Sequence, residues 1–121
     1  MKVKKVKIGI QSIEASLEEA KKTIRLIEQG NQVKKEVGVY FTSFEAFRKA
    51  LTPKRLELLH IIKARTPKSI KELAEMAKRD MKNISEDVKY LEQIGLLEKK
   101  DKEKEIRPVI NYDKLALEIG L

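Results

Sequence analysis

Residues 83–108, NISEDVKYLEQIGLLEKKDKEKEIRP, decide the fold. Ile84, Val88 and Leu91 recur at helical spacing, Ile94 continues the stripe, and Gly95 ends it where a left-handed residue costs least. A charged segment follows at once. LLEKK and EIRPVI flank DKEK and read as two short strands around a charged loop, with Pro108 confining the second strand to a sheet edge. A helix with one buried seam that runs directly into a charged ribbon has a polar side with nothing in the chain to cover it.

Upstream, Asp80 stands where it can cap this helix after a turn of only a few residues. Before the turn, SIKE opens another helix with a capping box, Ser69 to Glu72, and an apolar face of Ile70, Leu73, Ala74 and Ala77. TPKS separates it from KRLELLHIIKAR. That helix opens on Thr52 as N-cap and Pro53 as first helical residue, with Leu56, Leu59 and Ile61 or Ile62 inward. A short helix, FEAFRKAL, capped by Ser43, aligns Phe44, Phe47 and Leu51.

The ends read differently. VKIGI alternates Val6, Ile8 and Ile10 against Lys5 and Lys7, and VGVYF does the same with Val37, Val39 and Phe41. Between them SIEASLEEAKKTIRLIEQG sets Ile13, Leu17, Ala20, Ile24 and Ile27 on one helical face from Ser12 to Gly30. KLALEIGL alternates Leu115, Leu117, Ile119 and Leu121. The expected class is α+β, with residues 1–42 as a strand–helix–strand extension suited to dimerisation, residues 43–110 as a trihelical unit with its ribbon, and residues 111–121 as a closing strand on the extension or a partner subunit.

Composition narrows the function. The chain has 121 residues, 41% hydrophobic and 38% charged, enough for one domain with a modest core. Its net charge of +8 favours polyanions, although a basic lean also serves plain solubility. Aromatic residues make up only 5%, too few for a platform that stacks single-stranded bases. There is no cysteine and one histidine, His60, so thiolate chemistry and metal-ligand spacing are absent. No apolar run approaches the ~20 residues that span a bilayer, and MKVKKVKIGI is too short in apolar residues for a signal peptide; a cytoplasmic protein without cofactor or metal is expected. Glycine-rich phosphate loops and nucleophile–base orders are missing, so no catalysis is expected. Abundant Lys, Glu and Ile with scarce Asn and Gln is the composition of proteins from hot environments, often archaeal.

The polar side of the 80–94 helix carries Lys82, Asn83, Ser85, Glu86 and Lys89. An α-helix fits the major groove, where Lys suits guanine or phosphate, Asn adenine, Glu the cytosine amino group and Ser several partners. Lys68 and the amides around Ser69 form a helix N-terminus suited to phosphate. Arg79 precedes the helix, and Lys102, Lys104 and Arg107 belong to the ribbon over 97–109, expected on adjacent backbone or minor groove. A solvated helix has the same residue types, and residues 98–107 hold five basic and four acidic side chains, a nearly neutral wing. The order of elements therefore says more than any one of these residues.

LTPKRLELLHII, SIKELAEMAKRDMKNISEDVKYLEQIGLLEKK and the hairpin after them resemble winged helix-turn-helix regulators of the MarR/ArsR kind. The whole chain is similar to a family of archaeal and bacterial DNA-binding regulators in which a strand and a long helix precede LTPKRLELL. The pattern from Asp80 to Leu96 is specific for the winged-helix class, not for an operator. The resemblance implies sequence-specific binding of double-stranded DNA and, through relatives that act as antitoxins, a co-encoded toxin as a partner. Glu86 and Asp87 depart from it, since recognition helices of this class are often more basic there. Such modules usually pair to address two half-sites, so a homodimer through the chain ends is expected. Two other readings keep the fold: a protein-interaction module, such as an antitoxin or a transcription-complex subunit, and a binder of structured RNA.

Overall fold

The structure, a computed structural model, describes residues 4–32, 38–102 and 105–121, with Lys102 as backbone alone. Val37 and Lys104, and the side chain of Lys102, lie outside the described residues. The elements run β1 Lys5–Ile10, α1 Ile13–Glu28, β2 Gly38–Phe41, α2 Phe44–Ala50, α3 Pro53–Arg65, α4 Ile70–Ala77, α5 Met81–Gln93, β3 Glu98–Lys102, β4 Glu105–Val109 and β5 Lys114–Ile119. They form two compact units, one of Lys5–Ala50 with Lys114–Leu121, the other of Leu51–Asp113 with the N-terminal Lys4.

In the first unit β2, β1 and β5 form a parallel sheet in that order. Parallel neighbours require a crossover, which α1 supplies between β1 and β2. The register aligns Val6 with Leu115, Ile8 with Leu117 and Val39, and Ile10 with Ile119 and Phe41, so one face is apolar throughout. Val6, Ile8 and Ile10 are buried there. The other face is polar, with Lys7 and Glu118 paired at 3.2 Å. On it the Tyr40 ring lies across Gly9, where an added Cβ would stand 2.5 Å from Cδ1 of the ring; only glycine leaves that space. The expected alternation is present for Val6, Ile8 and Ile10, for Val39 and Phe41, and for Leu115, Leu117 and Ile119, whereas Leu121 lies beyond β5 and is exposed.

α1 carries its expected stripe, but no residue of the helix is buried. Ile13, Leu17, Ile24 and Ile27 are 55–63% exposed. Ser12 caps the helix by accepting from the Ala15 amide at 3.1 Å. α2, read from sequence with the trihelical unit, belongs to the sheet unit: Phe47 meets Phe41 of β2 edge-on at 5.8 Å, and Phe44 lies 5.9 Å from Phe47.

The second unit is a trihelical core with a hairpin. Thr52 accepts from the Arg55 amide at 3.2 Å and Pro53 opens α3. The helix buries Leu58, Leu59, Ile61 and Ile62, so both isoleucines face inward. Leu56 does not; it is 43% exposed, because at 100° per residue it sits almost opposite the centre of that buried arc. Leu73 and Ala74 of α4 and Ile84, Val88 and Leu91 of α5 complete the core with Leu96 and Leu97. Each fully buried Leu or Ile contributes roughly 1.5–3 kcal/mol of transfer free energy.

β3 and β4 pair antiparallel, Lys99 opposite Pro108 and Lys100 opposite Arg107. Tyr112 closes the base of the hairpin by donating to the Leu96 carbonyl at 2.6 Å, and burial pushes its phenol up to about 12. Asp113 is exposed and exchanges backbone and side-chain hydrogen bonds with Lys4, at 2.8 and 3.0 Å. The Lys4 amide, then the Lys63 ammonium at 3.2 Å, hold its carboxyl below the usual range. The described elements give a mixed α+β fold of winged helix-turn-helix order.

Candidate nucleic-acid interface

The turn between α4 and α5 spans Lys78 to Asp80. α4 starts on Ser69, whose hydroxyl accepts from the Glu72 amide at 3.1 Å. It stops at Lys78, which takes the left-handed conformation at φ 54°. The amides of Lys78 and Arg79 then donate to the carbonyls of Glu75 and Ala74 at 3.2 and 3.1 Å, satisfying carbonyls the helix would leave open. Asp80 caps α5 by accepting from the Lys82 amide at 3.3 Å.

On α5 the division into faces follows the sequence pattern. Ile84, Val88 and Leu91 are buried, and Lys82, Asn83, Ser85, Glu86 and Lys89 are exposed. These five candidates share one helix and one accessible surface, with two cations and one carboxylate among them.

The remaining candidates are placed differently. Arg79 is half-buried, and its Nη2 donates to Asp87 at 2.8 Å. Ser69 is half-buried and its hydroxyl is engaged by the cap, while Lys68 beside it is exposed. Arg107 is half-buried on β4. Lys102 and Lys104 fall outside the described side chains. Lys99 anchors the hairpin to the helical core, its ammonium 3.5 Å from Glu92 of α5.

One cluster that orients α5 escaped the sequence reading. Asp87 takes Arg79 on one oxygen and the Nε of Arg55 on the other, at 3.1 Å. The Arg55 guanidinium also covers the Tyr90 ring at 4.1 Å, a cation–π contact. One carboxylate in the middle of α5 therefore ties the first turn of α3 and the inter-helix turn to α5. Arg55 lies 32 residues upstream, and no local spacing connects the two.

Comparison with known proteins adds the following. No curated protein matches the sequence. A solved structure of a MarR-like transcriptional regulator from Thermotoga maritima is similar at 20% identity, covering 78% of this chain and 64% of that chain, with a TM-score of 0.47. This chain thus spans a little under two thirds of that protein's length. A family model described as HVO_A0114 matches residues 50–117, from the end of α2 into β5 and more than half of the sequence. The chain belongs to the HVO_A0114 family.

Proposed function

We propose that this protein is a sequence-specific DNA-binding transcriptional regulator that seats α5 in the major groove and its β3–β4 hairpin on the adjacent backbone or minor groove. The observation that carries this reading is the exposed polar face of α5. Lys82, Asn83, Ser85, Glu86 and Lys89 stand clear on a helix whose opposite face is fixed in the core. Glu86 there opposes phosphate and suits cytosine, which favours selective over indiscriminate binding.

One such head is small for tight binding, and we infer a homodimer that spans two half-sites. The uncovered stripe on α1, Ile13, Leu17, Ile24 and Ile27, supports a second copy as the covering surface. The same stripe supports a second reading, in which the fold is a module for a different protein, such as a co-encoded toxin.

Selection of bound duplexes from a random pool, followed by titration across salt, tests the proposal. A regulator yields a two-fold-related motif and an affinity that falls steeply with salt, by about one power per phosphate contacted. Equal binding of all duplexes would overturn sequence-specific reading.

A further inference from the structure

A cleft of about 530 Å³ opens between the last turn of α3 and the hairpin. Its volume lies within the range typical of small-molecule sites, about 300–1,000 Å³. Ile62 and Ile110, both buried, and Val109, half-buried on the same hairpin face as Lys100 and Arg107, give it an apolar floor. Its rim is cationic, with Lys63, Lys100 and Arg107 against a single carboxylate, Asp101.

Two of those cations are in an unfavourable arrangement. Lys100 and Arg107 are direct cross-strand partners, and like charges directly opposite destabilise a hairpin. Lys63 shares its charge with Asp113 at 3.2 Å, whereas neither Lys100 nor Arg107 has an ion-pair partner among the described residues. Arg107 is also half-buried, so the residue has given up part of its contact with water without gaining an ion pair among the described residues. An anion held between the two would relieve both penalties. Thr66 at the wall is the C-cap of α3, where the helix dipole is negative, and Lys63 and Arg65 in that last turn offset it.

The strand alternation separates this pair from α5. Lys99 reaches Glu92 of α5, and Pro108, its cross-strand partner, is buried. Lys100 and Arg107 project from the other face of the hairpin. A duplex seated on α5 therefore does not meet them first, which favours a small ligand over a DNA strand.

We propose that this cleft binds a small organic phosphate monoester. The phosphate, near −2 in charge at neutral pH, lies between Lys100 and Arg107, whose guanidinium offers a bidentate fork. The organic body rests on Ile62, Val109 and Ile110. The proposal is independent of DNA binding, so either can fail alone.

Calorimetric titration of phenyl phosphate into the full chain without DNA tests it, beside inorganic phosphate and phenol. One phenyl phosphate per chain is expected, with inorganic phosphate about tenfold weaker for want of the apolar contact and phenol weaker still. Lys100→Gln and Arg107→Gln should each weaken phenyl phosphate about tenfold while leaving thermal unfolding unchanged or slightly improved. Lys99→Gln, on the other hairpin face, should leave binding unchanged. Absence of binding at millimolar phenyl phosphate overturns the proposal, as does equal binding of inorganic phosphate or wild-type affinity in both glutamine variants. If those variants weaken duplex binding but leave phenyl phosphate unmoved, the cations belong to a nucleic-acid surface and the cleft is not a phosphate site.

Discussion

Arg79 donates to Asp87 across 2.8 Å, from the turn between α4 and α5 to the middle of α5. With Arg55 on the other oxygen, the carboxylate sits between two guanidiniums, all three side chains only 15–22% exposed. The pose of α5, and with it of its exposed polar face, thus depends on a carboxylate engaged on the other side of the helix.

Asp87→Asn keeps the shape and removes the charge, leaving two half-buried cations facing each other. Fully buried pairs lose about 3–5 kcal/mol on such a break and exposed ones under about 1, so a loss of about 2 kcal/mol is expected. Urea unfolding reads it directly. A change below about 0.5 kcal/mol would mean that the cluster does not hold α5.

Lys82→Ala with Asn83→Ala removes two exposed side chains from α5 and should not disturb the core. Loss of about 1–3 kcal/mol of discrimination for each bidentate base contact is the expected outcome, measured as competition between selected and scrambled duplexes. Unchanged preference would place base reading on another face.

For the α1 stripe, Leu17→Glu with Ile24→Glu should give a folded monomer, since neither residue is buried within the chain. Circular dichroism checks the fold and light scattering the mass at micromolar concentration. A wild-type monomer under the same conditions removes the dimer.

Tyr112 sets an alkaline limit. Burial raises its phenol from 10.0 to about 12, so the folded state holds the proton more tightly than the unfolded state. That contribution is complete below pH 10 and is lost as pH climbs through 12. Lysines titrate in the same interval, so the informative quantity is wild type minus Tyr112→Phe. The phenylalanine variant should be about 1 kcal/mol less stable at neutral pH, for the lost bond to Leu96, and the gap should close as pH rises.

Lys78 adopts φ 54° at the end of α4, a region in which a Cβ is unfavourable. Lys78→Gly should stabilise the unit by about 0.5–1 kcal/mol and raise the melting temperature by a few degrees. A lower melting temperature would show that the lysine side chain itself holds the turn.

Much of this was legible in the residues, for identifiable reasons. Ser12, Thr52 and Ser69 announced their helices because capping is a local bond to an amide three residues on. The seam of Ile84, Val88 and Leu91 gave the orientation of α5, since a single stripe can face only one way. Leu56 misled because α3 is apolar around more than half its circumference, and period alone does not choose the arc. The Arg55–Asp87 contact and the basic cleft were invisible for another reason. Both join residues from distant segments, and only the packed helices decide which charges meet. Phe47 similarly drew α2 to β2 through an aromatic contact that its own helical pattern does not encode.

The pairing of β1 with β5 has a temporal consequence. Val6 stands opposite Leu115, so β1 must wait until α1 through β4 have been made before its second neighbour exists. The trihelical unit, built mainly from segments close in sequence, can condense during that wait, whereas the sheet closes last and at the larger entropic cost of a long loop. Loss of β5 should accordingly leave the trihelical unit stable and reduce the sheet to a frayed two-stranded remnant of β1 and β2.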